Sequence, residues 1–397
     1  MSDKSHCYLV ITELFLPTKG GTAVWFDEVY KRIGGREIHI VTADVPGAAE
    51  YDQQHTNAVH RVSLKRHWWL RPESLAMYAK LFLKAFRVAL TNKIDAVHAG
   101  RVLPEGLVGL IVARIFRKPL VIYAHGEEIT TWRQSGKFKV MVLTYCHADI
   151  VIANSDFTRD ELLKLGIKDE RIIIINPGVD VDRFKPGLEV KDLHAIVGLQ
   201  SEQKLILSVG RLSRRKGFDN VIRALAELVD QGINIRYAII GIGEDEEYLK
   251  KLVKEYAVTD SVSFLGHVTP EDLPRWYNAC DVFAMPNREM DGDTEGFGMV
   301  FLEAAACEKP SIAGNAGGTG SAVIDGVTGL RVDGDDQNAI VGALKKIMVD
   351  NLLASSMGSS GFDRVHSSFT WKKVALKTTE IFPNGGRSKS GNSGENK

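Results

Sequence analysis

The chain has 397 residues, with 50 Lys and Arg against 50 Asp and Glu, 44% hydrophobic and 25% charged residues. At roughly 100–200 residues per domain this length predicts two domains with cores of ordinary size. The balanced charge argues against a nucleic-acid binder working through a global basic field, and no run of about 18–20 apolar residues predicts a membrane-spanning helix.

The chain opens MSDKSHCYLVITELF. Its apolar run has no preceding basic region and no small-residue cleavage site, so it reads as a first core strand and not as a signal peptide. Further buried strands are predicted at 38–44, 94–100, 119–126, 148–155 and 171–178, with helical patterns such as 105–116 between them. Continuous apolar strands alternating with helices imply parallel βαβ units. In the loop FLPTKGGTAVWFDEV (15–29), Gly20 and Gly21 separate the first strand from the first helix. Such a pair lets backbone amides approach a ligand closely, or simply makes a tight turn.

Residues 61–90 carry seven Lys or Arg and one acid, interleaved with Trp68, Trp69, Tyr78, Phe82 and Phe86. This mixture suits an anionic membrane surface. The alternative is that the aromatics pack inward and only the cations face solvent. In YAHGEEITTW (123–132), His125 follows a strand and precedes a glycine, which puts it at the strand's C-terminal edge. It serves there either as an active-site group or as a satisfied structural histidine.

The segment NPGVDVDRFKPGLEV (176–190) marks the domain boundary, giving an N-terminal domain over 1–183 and a C-terminal domain over 184–368. A second strand series follows at 204–211, 236–243, 261–268, 281–286 and 310–318, with helices at 217–232 and 244–257. The predicted fold is therefore α/β, with two doubly wound, Rossmann-like domains. In VGRLSRRKGFD (209–219), Arg211 and Lys216 would point from the C-terminal sheet edge, where ligands of such sheets bind. Two cations there suit a diphosphate, whereas Arg214 and Arg215 read as a solvated basic turn. In EGFGMVFLEA (295–304), Glu295 precedes a glycine-rich loop, and Glu303 is placed about two turns into the next helix. Exposed amides of Gly296, Phe297, Gly298 and Met299 at that helix N-terminus would suit an anion such as a phosphate. A capped helix with one surface and one buried glutamate fits the same spacing.

Asp291-Gly292-Asp293 reads as a solvated acidic loop in preference to a metal-binding pair, and no metal ligand set or cofactor is predicted. Cys7, Cys146, Cys280 and Cys307 are scattered without metal or disulfide spacing, which points to a reducing, cytoplasmic setting. The segment 369–382 forms a last amphipathic helix, and 383–397, rich in Gly, Ser and Lys, reads as a disordered tail.

The four motifs lie just beyond strand ends, two from each half, so all could face one cleft. GRLSRRKG, FAMPNREMDGDTEGFGMVFLEA and GNAGGTGSAVIDGVTGLRV resemble a retaining glycosyltransferase of the GT-B fold, in family four. HGEEI, FAMP before the glutamate loop and GMVFLEA are similar to the phosphatidylinositol-mannoside mannosyltransferase group.

The resemblance implies that Arg211 and Lys216 grip the donor diphosphate, and that Gly20 and Gly21 form the loop over the phosphates. It implies that Glu295 contacts the donor sugar hydroxyls, Glu303 the ribose, and that His125 lies near the sugar. It also implies that the last helix returns to the N-terminal domain. The donor would be a nucleotide sugar, GDP-mannose favoured and a UDP-sugar possible. The acceptor would be a saccharide or glycolipid at the inner face of the cytoplasmic membrane. One departure is GGTGSAV at 317–323, where Gly320 or Ser321 stands in place of the family's usual glutamate. The diphosphate carries roughly −2 to −3, against about +2.5 from two cations and a helix dipole, so charge balance does not require a metal.

Other readings are a sugar-nucleotide epimerase or phosphorylase of GT-B shape, and a non-catalytic sugar-nucleotide-binding protein. A dehydrogenase is disfavoured because IIGIGEDEEYL (239–249) lacks the third glycine of a dinucleotide fingerprint.

Overall fold

The computed structural model describes residues 6–64 and 74–381. Seven strands build a first sheet: β1 (Tyr8–Ile11), β2 (Ile38–Ala43), β3 (Ala58–Val62), β4 (Ala96–Ala99), β5 (Leu120–Ala124), β6 (Ile150–Ala153) and β7 (Ile172–Ile174). Six build a second: β8 (Lys204–Val209), β9 (Ile235–Ile240), β10 (Val262–Gly266), β11 (Val282–Met285), β12 (Ser311–Gly314) and β13 (Gly329–Val332). Their orders are β3-β2-β1-β4-β5-β6-β7 and β10-β9-β8-β11-β12-β13. Every pairing in both sheets is parallel, so the α/β, doubly wound reading holds in each half.

Central strands such as β1 and β5 are buried along their whole length, because helices cover both faces of a parallel sheet. Apolar clusters flank each sheet on both sides. Strands β3 and β13 were not foreseen. Both are edge strands and only partly buried.

Each sheet has one switch point, where successive connections run to opposite sides: β1/β4 in the first and β8/β11 in the second. Doubly wound sheets leave a crevice there, outside the strands' C-terminal ends.

The chain crosses between the sheets twice. The first crossing follows β7, and the second precedes the helix Trp371–Thr379. Thr370 caps that helix by accepting from the Lys373 amide. Its Trp371, Val374 and Ala375 sit in the same apolar cluster as Tyr8 and Tyr123 of the first sheet and Trp25 of the helix Gly21–Tyr30. The crossings touch: the Val179 amide donates to the Phe369 carbonyl at 2.8 Å. A parallel bridge also joins Val179 to Thr370. The tail 383–397, residue 382, Trp68 and Trp69 lie outside the described residues.

Candidate active site

The wall contributed by the second sheet begins after β8. The single turn Arg214–Lys216 ends at Gly217, whose φ is 80°. A Cβ at Gly217 would fall 2.2 Å from the Pro286 carbonyl oxygen, so the turn lies against the segment leaving β11. The Arg288 amide also donates to the Arg215 carbonyl at 2.8 Å. Arg288 is in turn held by Asp219 through two bonds, at 3.1 and 2.9 Å.

This arrangement carries Lys216 and Arg215 to Glu295. Both bond its Oε2, Arg215 Nη1 at 3.1 Å, and Arg215 Nε also lies 2.9 Å from Asp293. Burial opposes ionisation of Glu295, but Lys216 and Arg215 outweigh it and hold the carboxyl below its usual range. Arg211 is not part of this cluster. Its side chain is 73% exposed and pairs with Glu244 at 2.9 Å. The sequence reading is therefore corrected at Arg215, which was taken as a solvated turn residue but stands beside Lys216 on Glu295; Arg211 lies outside this cluster. Arg214 stacks over the Tyr248 ring.

The helix Met299–Ala306 starts at Gly298, so its first amides face the cleft through the segment 296–300. Phe297 contributes backbone only, since its ring is buried. Glu303 is the fifth residue of this helix, little more than one turn in and not two. Its Oε2 accepts from Tyr277 at 2.6 Å, and burial raises its carboxyl.

The facing wall is built on β1, β4 and β5. Gly20 caps the helix Gly21–Tyr30, and a Cβ at Gly21 would sit 3.1 Å from Met299 Sδ. The loop after β1 thus rests on the start of the 299–306 helix. His125 is buried, with Nε2 2.8 Å from the Gly100 carbonyl. A carbonyl only accepts, so Nε2 carries the proton. Burial first, then Arg101, lowers the pKa of the ring, which leaves a neutral imidazole with Nδ1 as its acceptor. Glu128 fixes this loop: its Oε1 accepts from the His125 amide at 3.0 Å and from Tyr145 Oη at 2.6 Å.

The walls meet directly. A Cβ at Gly296 would fall 2.1 Å from the His125 carbonyl oxygen, so only glycine lets the glutamate loop lie on the histidine loop. Between the walls is a cavity of about 260 Å³. Gly21, Trp25, Arg101, His125 and Glu127 line it on one side; Lys216, Glu295, Gly296 and Met299 line it on the other. A larger cavity of about 570 Å³ lies at the crossings, beside Val179 and Trp371, away from these groups.

The departure at 317–323 also has a structural counterpart. Ser321 Oγ donates to Asp156 Oδ2 at 2.8 Å and accepts from the Asp156 amide at 3.1 Å. It thereby ties the second domain to the start of the helix Asp156–Lys164. Sequence reasoning missed Arg101, Glu127 and Asp156. For Arg101 and Asp156 the signal is a charged residue just past the end of a buried strand; Glu127 lies within HGEEI, beside the histidine that was singled out.

Among the described residues no group of three or more His, Cys, Asp or Glu side chains could hold a metal ion. Asp293 is occupied by Arg215. In the basic, aromatic segment, the helix Leu75–Thr91 buries Met77, Leu81, Ala85 and Val88. Tyr78 and Phe82 pack partly against the core, and Phe86 lies against Phe82 and Phe116. These three aromatics thus lean inward, while Leu83 and Leu90 are exposed. No helix among the described residues is long and apolar enough to cross a membrane.

The family described as "Glycosyltransferase Family 4" matches residues 19–183, and "Glycosyl transferases group 1" matches residues 189–364. The chain is 30% identical over 379 residues to a GDP-mannose-dependent alpha-(1-6)-phosphatidylinositol monomannoside mannosyltransferase of Mycolicibacterium smegmatis, covering 94% of this chain and 97% of that one. It is 34% identical over 246 residues to a D-inositol 3-phosphate glycosyltransferase of Corynebacterium jeikeium, covering 59% and 57%. Among solved structures, HepE of Anabaena in complex with UDP superposes with a TM-score of 0.80 at 22% identity, over 95% of this chain and 99% of that one. Sucrose-phosphate synthase of Thermosynechococcus elongatus gives 0.77 at 22% identity, over 95% and 98%. These two likenesses establish the GT-B architecture.

Proposed function

The chain belongs to glycosyltransferase family four, and on that footing we propose that it moves mannose from GDP-mannose, with retention, to a saccharide or glycolipid acceptor. The observation that carries this reading is the convergence of Lys216 and Arg215 on Glu295, across one cavity from His125. The preference for GDP-mannose over a UDP-sugar follows the Mycolicibacterium relative, which matches over nearly its whole length.

In this proposal the diphosphate takes the cations that Glu295 now holds. Lys216 and Arg215 supply two positive charges, and the N-terminus of the 299–306 helix adds about half a charge. That nearly balances a leaving group of roughly −2 to −3. Glu295, displaced from the cations, becomes free to accept from donor-sugar hydroxyls, and Glu303 serves the ribose. Arg211 leaves Glu244 to join the phosphates. Neutral His125 accepts at Nδ1 from a sugar hydroxyl. The bond from the anomeric carbon to the diphosphate oxygen breaks, and a bond to the acceptor oxygen forms on the same face. The acceptor proton passes to the departing diphosphate.

A thermal-shift panel of GDP, UDP and ADP tests the donor. A ligand at a hundredfold excess over its Kd stabilises by about 2.7 kcal/mol, and GDP is expected to lead. Release of nucleoside diphosphate only when acceptor is present separates a transferase from an epimerase or a mere binder. An inverted product by NMR rejects the same-face route.

We further propose peripheral attachment at the inner face of the cytoplasmic membrane. Leu83 and Leu90 are exposed on the helix that carries Lys80, Lys84 and Arg87, and such a face suits anionic lipid. Equal sedimentation with neutral and anionic vesicles would remove this part.

A further inference from the structure

We propose that Arg101 and Glu127 clamp two neighbouring hydroxyls of the acceptor, so that the acceptor enters as a neutral polyol at this point. The proposal rests on the transferase reading and adds to it the residues that recognise the acceptor.

Both side chains come from the first sheet and stand across the cavity from Lys216. Arg101 lies two residues past β4, and Glu127 opens the short helix that follows His125. Both line the cavity between the walls, and they remain partly open to it, with side-chain exposures of 31% and 38%. Their ion pair, Nη2 to Oε1, is 3.3 Å long. That exceeds the roughly 2.7–2.9 Å of a strong charge-assisted hydrogen bond, so neither group has used its capacity on the other. Arg101 Nε is buried without a hydrogen-bond partner among the described residues.

The surrounding charge selects the ligand. Arg101 is faced by Glu127, Glu105 and His125, and Glu127 by Arg101, Glu128, Arg215 and Glu295. On this wall carboxyl groups outnumber the cation, which disfavours a second anion beside the diphosphate. A guanidinium and a carboxylate side by side instead match a vicinal diol: one oxygen accepts from Arg101, and the other donates to Glu127.

The test uses the full chain saturated with GDP or UDP, whichever stabilises it more. Methyl α-mannoside and myo-inositol are then titrated by calorimetry. At least one is expected to bind, and Glu127→Gln and Arg101→Met are each expected to weaken it about 10- to 100-fold. Arg101→Lys should recover part of the loss. Nucleotide affinity in the same titrations reports whether each variant is folded.

Three results overturn the clamp: neither polyol binds, both bind wild type and variants alike, or inorganic phosphate displaces the polyol from wild type. Failure of both nucleotides to bind counts instead against the transferase reading.

Discussion

Replacing Ser321 tests whether the two domains are held in their observed arrangement by a specific bond. Ser321 Oγ makes two hydrogen bonds to Asp156, at 2.8 and 3.1 Å. Each is worth on the order of 1 kcal/mol net, so Ser321→Ala should weaken the closed arrangement by about 1–2 kcal/mol, roughly a 5- to 30-fold change in its population. Ser321→Glu places a second carboxylate beside Asp156. Two unit charges about 4 Å apart repel by about 4 kcal/mol at an effective permittivity near 20. Asp156 is exposed, and Arg364 lies against the Ser321 carbonyl at 2.7 Å, so screening should leave about 1–2 kcal/mol. The assays are kcat/KM for the donor and the radius of gyration by X-ray scattering. Ser321→Glu should be the more expanded and the less active variant, and adding Asp156→Asn should recover at least about 1 kcal/mol in the double-mutant cycle. The reasoning is refuted if Ser321→Glu matches wild type in both assays, or if Asp156→Asn gives no recovery.

Lys216→Ala removes a cation from the position where leaving-group charge develops. Turnover measured by nucleoside diphosphate release should fall about 10²- to 10³-fold, and a loss under about fivefold contradicts the assignment. Gly296→Ala drives a methyl group to 2.1 Å from the His125 carbonyl oxygen. It should cost about 1–3 kcal/mol by denaturant titration, together with activity; an unchanged midpoint would show that the walls do not touch there. Glu105 is fully buried, and burial raises its carboxyl from 4.5 to about 7. The folded state therefore holds this proton more tightly than the unfolded chain, so stability should decline as pH rises from about 4.5 to about 7. Glu105→Gln should flatten that decline, and an unaltered pH profile would exclude Glu105 as its source.

The sheets were legible because strands buried on both faces read as unbroken apolar runs, as YLVI does in β1. AVHRV in β3 and GLRV in β13 lie at sheet edges and mix polar with apolar residues, so the same signal fails there. Lys216, Glu295 and His125 were legible because each sits in a glycine-marked turn after a strand. Arg215 was not, because the single turn 214–216 gives neighbouring arginines different partners, Arg214 stacking on Tyr248 and Arg215 bonding Glu295. That choice is made by partners distant in sequence, Glu295 being 80 residues from Arg215. Arg101 and Glu127 were hidden for a related reason: the ends of β4 and β5 bring them together, Arg101 lies in no motif, and within HGEEI the histidine alone drew notice.

The contact between the two crossings limits how the enzyme can move. Two separate tethers would let one lobe both swing and twist against the other. Here the ribbons are stitched side by side by the Val179–Phe369 bond, and Trp371 is anchored in the first lobe's interior. Such a joined spine should favour parting and shutting of the lobes along one line over shear between them. Each shutting should therefore return Lys216 and Glu295 to the same place over His125, without a separate search for alignment.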